Sequence, residues 1–370
     1  MIDPIQTPVL GNGTFFYKEQ ERPGGGPLRT IAFTQVDIRP RPYEELENAK
    51  ANVGITIPLE MYNGRIVETN IEGIDSSQFV NIRSTLVSPF ASKAIGLVRG
   101  GWLPSSLAAT QKGAVVLPDR NIVTEIASRF DCDKKIERAQ DFLDLFQSAP
   151  VRINPLLFAL EGNKRSLPTP DIARAQLEEA VAKLRKALPE ATVILGPDSV
   201  TGLLRLIEDI RPAMARKQAF LCRVGPTLAS PVAHRNMDKR WNDILATAKD
   251  CGVPLNSFVV LAALSTLVNP GKSAAKSLLK FSQSYSNADA YNALSDLQSL
   301  DLLVYFLALF PEIQTQLCTA DRNLALFWVG SGVSDIVRDS GGIRFKLTPH
   351  HALLPKHYAE RWVAELSLDT

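Results

Sequence analysis

The chain has 370 residues, of which 45% are hydrophobic and 22% are charged, and its formal net charge is +2. This length allows a substantial core and two or three structural units, and the composition is ordinary for a soluble globular protein. The near-neutral total neither requires nor excludes nucleic acid as a partner, because a basic groove can be hidden within a balanced charge.

Cysteine usage and hydropathy indicate the cytoplasm. The four cysteines show no paired metal-ligand spacing, and such sparse cysteine favours a reducing compartment over a disulfide scaffold. The N-terminus lacks a basic start followed by an apolar run, so no signal peptide is expected. The most apolar stretches, Phe258–Val268 and Leu302–Phe310, are shorter than the ~20 residues that span a bilayer. We therefore expect a soluble cytoplasmic protein without membrane contact.

Residues 1–110 are predicted to form a mixed N-terminal region. Glycines and prolines interrupt the first part of it, Thr30–Val36 and Gly54–Leu59 are typical of strands, and Tyr43–Ala51 is typical of a short helix. The glycine-rich segment Gly96–Gly101 lacks the order of residues that makes a phosphate-binding loop. No motif in this region predicts chemistry.

Two short apolar runs farther along each end in an aspartate. Residues 113–119 read GAVVLPD and residues 315–321 read TQLCTAD. A buried parallel strand delivers the residue at its end to the carboxyl edge of the sheet, where open α/β sheets place their ligands. Two such strands would bring Asp119 and Asp321 close together, and clustered carboxylates are typical ligands of Mg²⁺ or Mn²⁺.

Helices are expected between and after these two strands. Residues 172–285 have apolar residues at three- and four-residue spacing and are expected to be almost continuously helical. Tyr358 and Trp362 are expected to anchor a helical tail. The predicted helices are Asn121–Phe130, Lys134–Phe146, Ile172–Leu188, Ser199–Ile210, Arg240–Cys251, Leu255–Val268, Asn292–Phe310 and Leu347–Ser367.

Three further acids that could join Asp119 and Asp321 in one cluster lie between the two strands. Glu161 follows an apolar stretch, 42 residues after Asp119 (161 − 119). Asp296 lies on the late helix with Asn292 four residues earlier, so both are expected on one face, and Asp301 follows on the same helix. Three or four carboxylates can hold one or two divalent ions that promote phosphodiester hydrolysis.

The order of these residues resembles the PIN-like nuclease superfamily. A strand ending in Asp119 is followed by Glu161, then by an acid on a late helix, and then by a strand with the motif Thr319-x-Asp321-x-Asn323. The resemblance covers roughly residues 113–165 and 285–330. It implies an α/β, three-layer PIN-like domain with a central parallel sheet over residues 111–345, followed by a C-terminal helical tail over residues 346–370. The second and third acids are 135 residues apart (296 − 161), so a large helical insertion is expected at about 170–285.

The resemblance also implies an activity, a metal-dependent endonuclease that uses Mg²⁺ or Mn²⁺. RNA is favoured over DNA as substrate, and a toxin-like or defence role is typical of the superfamily. The implied catalytic acids and metal ligands are Asp119, Glu161, Asp296 and Asp321, with Asp301 as the alternative to Asp296. The implied residues around them are Thr319, Asn323, Asn121 and Asn292, with Lys164 and Arg165 placed to contact the substrate backbone.

Other interpretations remain open at this point. Asp119 is equally suited to cap the helix that follows it, Glu161 to end a helix, and Asp301 to form a buried pair. The protein could then be a non-catalytic interaction protein that binds partners through the helical insertion, in which case Asp119 and Asp321 would lie apart or bind arginines. A phosphatase is disfavoured because Asn121 stands where a second aspartate would be needed. The oligomeric state is left open.

Overall fold

The computed structural model describes most of the chain. The described residues are 9–10, 14–18, 25–49, 55–76, 78–88, 94–111, 113–137, 141–147, 150–161, 165–196, 198–271, 273–340 and 342–368. They form a mixed α/β protein with two main sheets and a large helical layer. The predicted α/β class is therefore correct.

The first sheet is antiparallel and is built from the N-terminal part of the chain. Its longest strand, β5, pairs with β3, β4 and β6, and the rings of Phe15 and Phe33 stack at 5.6 Å on its buried face. The strands and helix predicted in this region overlap β3, β5 and α1. The elements are β1 (Val9–Leu10), β2 (Thr14–Lys18), β3 (Thr30–Thr34), β4 (Asp37–Ile38), α1 (Tyr43–Asn48), β5 (Ile55–Thr69) and β6 (Phe79–Ser88).

The next elements begin the second, central sheet, on which the site is built. Every described residue of β7, β8 and β9 is buried, as expected for strands covered on both faces. The elements are β7 (Ile95–Val98), β8 (Gly101–Pro104), α2 (Ser105–Ala109), β9 (Val115–Pro118), α3 (Arg120–Arg129), β10 (Phe130–Asp131), β11 (Lys134–Lys135), a 3-10 helix (Phe142–Phe146), β12 (Arg152–Ile153), α4 (Leu156–Glu161), α5 (Pro170–Ala187) and β13 (Thr192–Val193).

The remaining elements are mainly helical. Apolar residues cover the whole circumference of α8, which is buried from Phe258 to Leu267. The elements are α6 (Ser199–Leu228), a 3-10 helix (His234–Asn236), α7 (Met237–Asp250), α8 (Phe258–Val268), α9 (Ala274–Leu279), α10 (Asn287–Leu309), β14 (Thr315–Thr319), α11 (Arg322–Ser331), β15 (Ser334–Asp339), β16 (Gly342–Lys346) and α12 (Lys356–Leu368). Within the described part of the chain, no helix is both long and apolar enough to cross a membrane.

The central sheet differs from the purely parallel sheet that was expected. Its order is β13-β12-β9-β14-β7-β8. The first four strands are parallel, whereas β7 runs antiparallel to β14 and β8 antiparallel to β7. Strands β7 and β8 come from the segment assigned to the N-terminal region, and β13 comes from the segment assigned to the helical insertion. Both segments therefore contribute strands to the sheet that carries the site.

The charged segment Lys134–Phe146 is not the helix that its composition predicted. Cys132 and Asp133 have φ angles of 47° and 63°, and this left-handed backbone turns β10 back onto β11 as a short hairpin. Asp141 and Asp144 then form a capping box on the 3-10 helix. The tail is also shorter than predicted, because its helix begins only at Lys356, after Pro355. Trp362 is fully buried there, as predicted.

Candidate functional site

The two strands that end in aspartates are neighbours in the central sheet. In the parallel pairing of β9 with β14, Leu317 lies opposite Leu117 and Cys318 opposite Pro118. The backbone N–H of Asp119 continues the ladder and donates to the carbonyl of Cys318 at 3.0 Å. Because parallel strands point their carboxyl ends in the same direction, Asp119 and Asp321 emerge at one edge of the sheet, at the position expected from the sequence.

Both aspartates also cap helices. Oδ1 of Asp119 accepts a hydrogen bond from the backbone N–H of Ile122 at 2.8 Å, at the start of α3. Oδ1 of Asp321 accepts from the N–H groups of Asn323 and Leu324 at 2.7 and 3.1 Å, at the start of α11. The capping interpretation of Asp119 is therefore correct, and Asp321 caps its helix in the same way. Capping does not exclude these residues from a functional site. Only one carboxylate oxygen of each makes the cap, and both side chains also line a cavity.

Thr319 connects the two aspartates. Its hydroxyl accepts a hydrogen bond from the backbone N–H of Asp321 at 3.0 Å and hydrogen-bonds the Asp119 carboxylate. The residue is completely buried at the end of β14. A single hydroxyl thus fixes the positions of both acids relative to the sheet.

Four carboxylates line one cavity at this sheet edge. The cavity has a volume of about 60 Å³, enough for an ion with a few waters. Asp119 follows β9, Glu161 ends α4, Asp296 lies in the middle of α10 and Asp321 follows β14. Acids that are far apart in sequence are brought together because their four elements meet at the carboxyl ends of the parallel strands.

Burial and mutual repulsion raise the pKa values of these acids. Burial is the main cause of the rise in the pKa of Asp296 to about 7, with repulsion from the other three carboxylates adding to it and Lys280 opposing it. Burial, and then repulsion from Asp321, raises the pKa of Asp119 to about 6 against the hydrogen bond from Thr319. Burial and repulsion from Asp119 likewise raise the pKa of Glu161 to about 6. The cluster therefore resists ionisation in the absence of a cation.

Asp144 is a partly buried acid that, unlike the four acids of the cavity, has cationic partners. Arg129 donates to its Oδ1 at 2.8 Å and Lys135 to its Oδ2 at 2.7 Å. Burial alone would raise the pKa of Asp144, but these hydrogen bonds lower it overall. By contrast, none of the described residues that line the acidic cavity is a lysine, arginine or histidine. The four acids are therefore not compensated from within their own cavity.

The two arginines beside the aspartates make their side-chain hydrogen bonds with backbone carbonyls, although the charge of Arg120 also acts on Glu161. The guanidinium of Arg120 lies 4.2 Å from the centre of the Phe158 ring and donates to the Phe158 carbonyl at 3.3 Å. Arg322 donates to the backbone carbonyls of Leu46, Glu47 and Ala49, at the end of α1. If the protein were a non-catalytic interaction protein, arginines were expected to bind Asp119 and Asp321. The contacts of Arg120 and Arg322 described above are with other groups.

The donor set fits a hard divalent cation. Carboxylates, joined here by hydroxyl and amide oxygens of Thr319 and Asn121 on the cavity wall, are the ligands that Mg²⁺ and Mn²⁺ prefer. Across the described residues, however, no group of three or more His, Cys, Asp and Glu side chains is already arranged to hold a metal ion. The acids share a cavity without standing at ligand geometry, so binding would require their side chains to move toward the ion.

Asp301, the alternative third acid, lies outside the cavity. It forms an ion pair with Lys217 of α6, because five residues along α10 turn it away from the face that carries Asp296. This placement corrects its assignment as a metal ligand and matches the alternative of a paired acid.

We expect Asp301→Asn to leave the affinity for Mn²⁺ within about threefold of the wild-type value, whereas Asp296→Asn weakens it at least about tenfold. The two substitutions are chemically identical and lie on the same helix, and only Asp296 lines the cavity. Isothermal titration of the EDTA-treated proteins with Mn²⁺ compares them. Equal losses in the two variants would contradict the assignment.

The other predicted residues are only partly brought together. Asn121 is exposed and lines the cavity, whereas Asn292 faces solvent. Asn323 contributes its backbone N–H to the cap of Asp321. Arg165 is exposed and acts electrostatically on Asp289 rather than on the four acids. Lys164 lies outside the described residues.

Several lining residues were not foreseen. Tyr291, Ser295 and Ser299 recur every four residues along α10 on the face of Asp296, a spacing that could have identified them once Asp296 was chosen. The phenol of Tyr291 donates to the backbone carbonyl of Glu161 at 3.1 Å and so joins α4 to α10. The α6 residue Met214, together with Ile210, closes another side of the cavity, and no local pattern indicates that placement.

Comparison with known proteins yields no relatives. No protein-family model, no curated protein and no solved structure matches this chain.

Proposed function

We propose that this protein is a metal-dependent nuclease with a PIN-like domain, and that it hydrolyses phosphodiester bonds of RNA. The supporting observation is the meeting of Asp119, Glu161, Asp296 and Asp321 in one cavity at the carboxyl edge of a parallel sheet. Four mutually repelling acids without a cationic neighbour on the cavity wall are costly for a purely structural site. Binding of a cation would explain why the four acids lie together, since strongly shifted pKa values cluster at functional sites.

Each residue would have a defined part in the reaction. The four carboxylates would hold Mg²⁺ or Mn²⁺, which when bound supplies Lewis-acid stabilisation to the phosphodiester and activates the attacking water. Thr319 hydrogen-bonds Asp119 and Asp321, and Tyr291 ties the end of α4, where Glu161 lies, to the helix that carries Asp296. The apolar wall formed by Ile210, Met214 and their neighbours limits the entry of bulk water.

The choice of RNA over DNA and the toxin-like or defence role rest on the resemblance to the PIN-like superfamily alone. The order of the acids, the parallel pairing of the two Asp-terminated strands and the late helix that carries the third acid support that resemblance. The two added antiparallel strands and the helices α6 to α9 are departures from a compact domain of this kind.

The proposal is tested by removing and restoring the metal. After EDTA treatment, we expect the protein to bind Mn²⁺ in a calorimetric titration and to cleave a fluorogenic single-stranded RNA only when Mn²⁺ or Mg²⁺ is added back. Asp301→Asn is the matched control and should behave as the wild type. A protein that neither binds Mn²⁺ nor cleaves the RNA would overturn the proposal.

A further inference from the structure

Arg322, the residue that follows Asp321, joins the start of α11 to the N-terminal part of the chain. Its Nη2 donates to the carbonyls of Leu46 and Glu47 at 3.0 and 2.6 Å, and its Nη1 donates to the carbonyl of Ala49. These carbonyls belong to the end of α1, where a helix leaves its last C=O groups without partners of its own. The last turn of α1 contains no basic residue. Arg322 therefore supplies from α11 the donors that α1 lacks.

Neighbouring elements hold α1 in place. The indole Nε1 of Trp102, in β8, donates to the carbonyl of Pro42, directly before the helix, at 3.0 Å. The ring of Tyr43, the first residue of α1, is buried and stacks on the ring of His350 with the ring centres 4.3 Å apart. Since β8 belongs to the central sheet, α1 has a fixed position relative to the strands that carry the acids. A guanidinium bound to α1 thus fixes the start of α11 relative to the same sheet.

The position of the Asp321 carboxylate depends on the start of α11. Its Oδ1 accepts hydrogen bonds from the N–H groups of Asn323 and Leu324, so the carboxylate moves with the first turn of the helix. Within that turn, Arg322 and Asn323 are half-buried, and Leu324 is the first fully buried side chain. The hydrogen bonds of Arg322 attach this turn to a second element. Releasing them should therefore loosen the turn and, with it, the carboxylate of Asp321.

We propose that Arg322 is a positioning residue of the metal site, which holds the Asp321 carboxylate beside the other acids by binding the end of α1. The inference rests on the proposed nuclease function and adds to it a role for the N-terminal region, to which α1 belongs. A guanidinium suits this task because its planar set of N–H donors binds several carbonyls at once, whereas a lysine offers a single nitrogen. The N-terminal region is then part of the support of the site.

The affinity for Mn²⁺ distinguishes positioning from a simple effect of charge. Removing a positive charge near the four acids favours a cation, so charge alone predicts that Arg322→Gln binds Mn²⁺ more tightly. Loss of positioning predicts the opposite. We expect Arg322→Gln to weaken Mn²⁺ binding at least about tenfold. Arg322→Lys, which keeps the charge and some of the donors, should lie between it and the wild type, and it provides the comparison if Arg322→Gln does not fold. Isothermal titration of the EDTA-treated proteins measures the series.

Trp328→Phe is the matched control. Trp328 lies on α11 about two turns beyond Asp321, and its Nε1 also donates to backbone carbonyls, those of Val98 and Gly101, at 3.1 and 3.2 Å. The variant loses an anchor of the same kind on the same helix, so its melting temperature should fall. Its Mn²⁺ affinity should stay within about threefold of the wild-type value. Equal weakening in Trp328→Phe and Arg322→Gln would mean that only the general stability of α11 matters, and would overturn the proposal.

Amide hydrogen exchange in the metal-free protein tests the position of Asp321 without relying on the ion. The N–H groups of Asn323 and Leu324, which bind its carboxylate, should exchange about tenfold faster in Arg322→Gln and at nearly the wild-type rate in Trp328→Phe. Unchanged exchange at these two amides, or unchanged or tighter Mn²⁺ binding in Arg322→Gln, would overturn the positioning role and leave the nuclease proposal standing. A wild-type protein that binds no Mn²⁺ would instead overturn the nuclease proposal, and the exchange rates would still decide whether Arg322 positions Asp321.

Discussion

Replacing Asp321 by asparagine is expected to lower RNA cleavage by at least about 100-fold while leaving the fold intact. Groups that only support a metal ligand typically cost ten- to a hundredfold when changed, so a ligand itself should cost at least the upper value. The fold should survive because Asn caps helices about as well as Asp does. The amide oxygen can still accept from the N–H groups of Asn323 and Leu324.

The same substitution has an unusual expected effect on stability. Without metal, Asp321 repels Asp119 and Asp296, so neutralising it should keep or raise the melting temperature in EDTA. In the presence of Mn²⁺ the order should reverse, because the wild-type protein gains stability from the ion and the variant does not. Thermal unfolding with and without Mn²⁺, run beside the cleavage assay, measures both effects.

Asp321→Ala and Asp301→Asn complete this experiment. Alanine removes the cap as well as the charge, so it should cost about 1 kcal/mol relative to asparagine at the same position. Asp301→Asn, outside the cavity, should retain cleavage. If Asp321→Asn unfolds the protein or keeps full cleavage, Asp321 is a structural cap and its assignment to the site fails.

The carboxyl edge of the sheet could be predicted from the sequence because the rules that govern it are local. An apolar run that ends in an acid and is followed by a helix start defines both a strand and the residue at its end. The pairing of β9 with β14 then follows, since sheet strands buried on both faces must find neighbours of the same kind. That is why Asp119 and Asp321 could be placed together although they are 202 residues apart (321 − 119).

The helical parts were harder to predict, because the bounds of a helix and the face that it buries depend on capping and on tertiary packing. The start of α10 lies at Asn287, five residues before the predicted start, because Ser286 and Asp289 form a capping box that the apolar pattern does not show. The apolar stretch around Asp301 suits either face of a helix, and only its ion pair with Lys217 of α6 removes it from the site. The position of α6 over the acids depends on tertiary packing between segments far apart in sequence.

In metal-free protein the acidic cluster is expected to contribute a loss of stability as pH rises from about 4 to 7. In the folded state the pKa values of Asp119 and Glu161 are about 6 and that of Asp296 is about 7, above their ordinary values of 3.8, 4.5 and 3.8. Between these limits the folded protein holds more protons than the unfolded chain, so the free energy of unfolding falls with rising pH. The charges of Arg120 and Lys280 oppose the effect at Glu161 and Asp296 but do not cancel it.

Bound Mn²⁺ should stabilise the protein at the alkaline end of this range and so offset the stability that the metal-free protein loses there. At a concentration 100 times its dissociation constant, a bound ion adds about 2.7 kcal/mol, which for a chain of this size corresponds to a rise of roughly 3 °C in melting temperature. The rise should be present at pH 7.5 and nearly absent at pH 5, because protons compete with the ion for the same carboxylates. Asp296→Asn should flatten the dependence in EDTA, since it removes the acid with the highest pKa. If Asp296→Asn has the same pH dependence as the wild type in EDTA, or if Mn²⁺ stabilises the protein equally at both pH values, the four acids do not form the coupled cluster on which the proposed function depends.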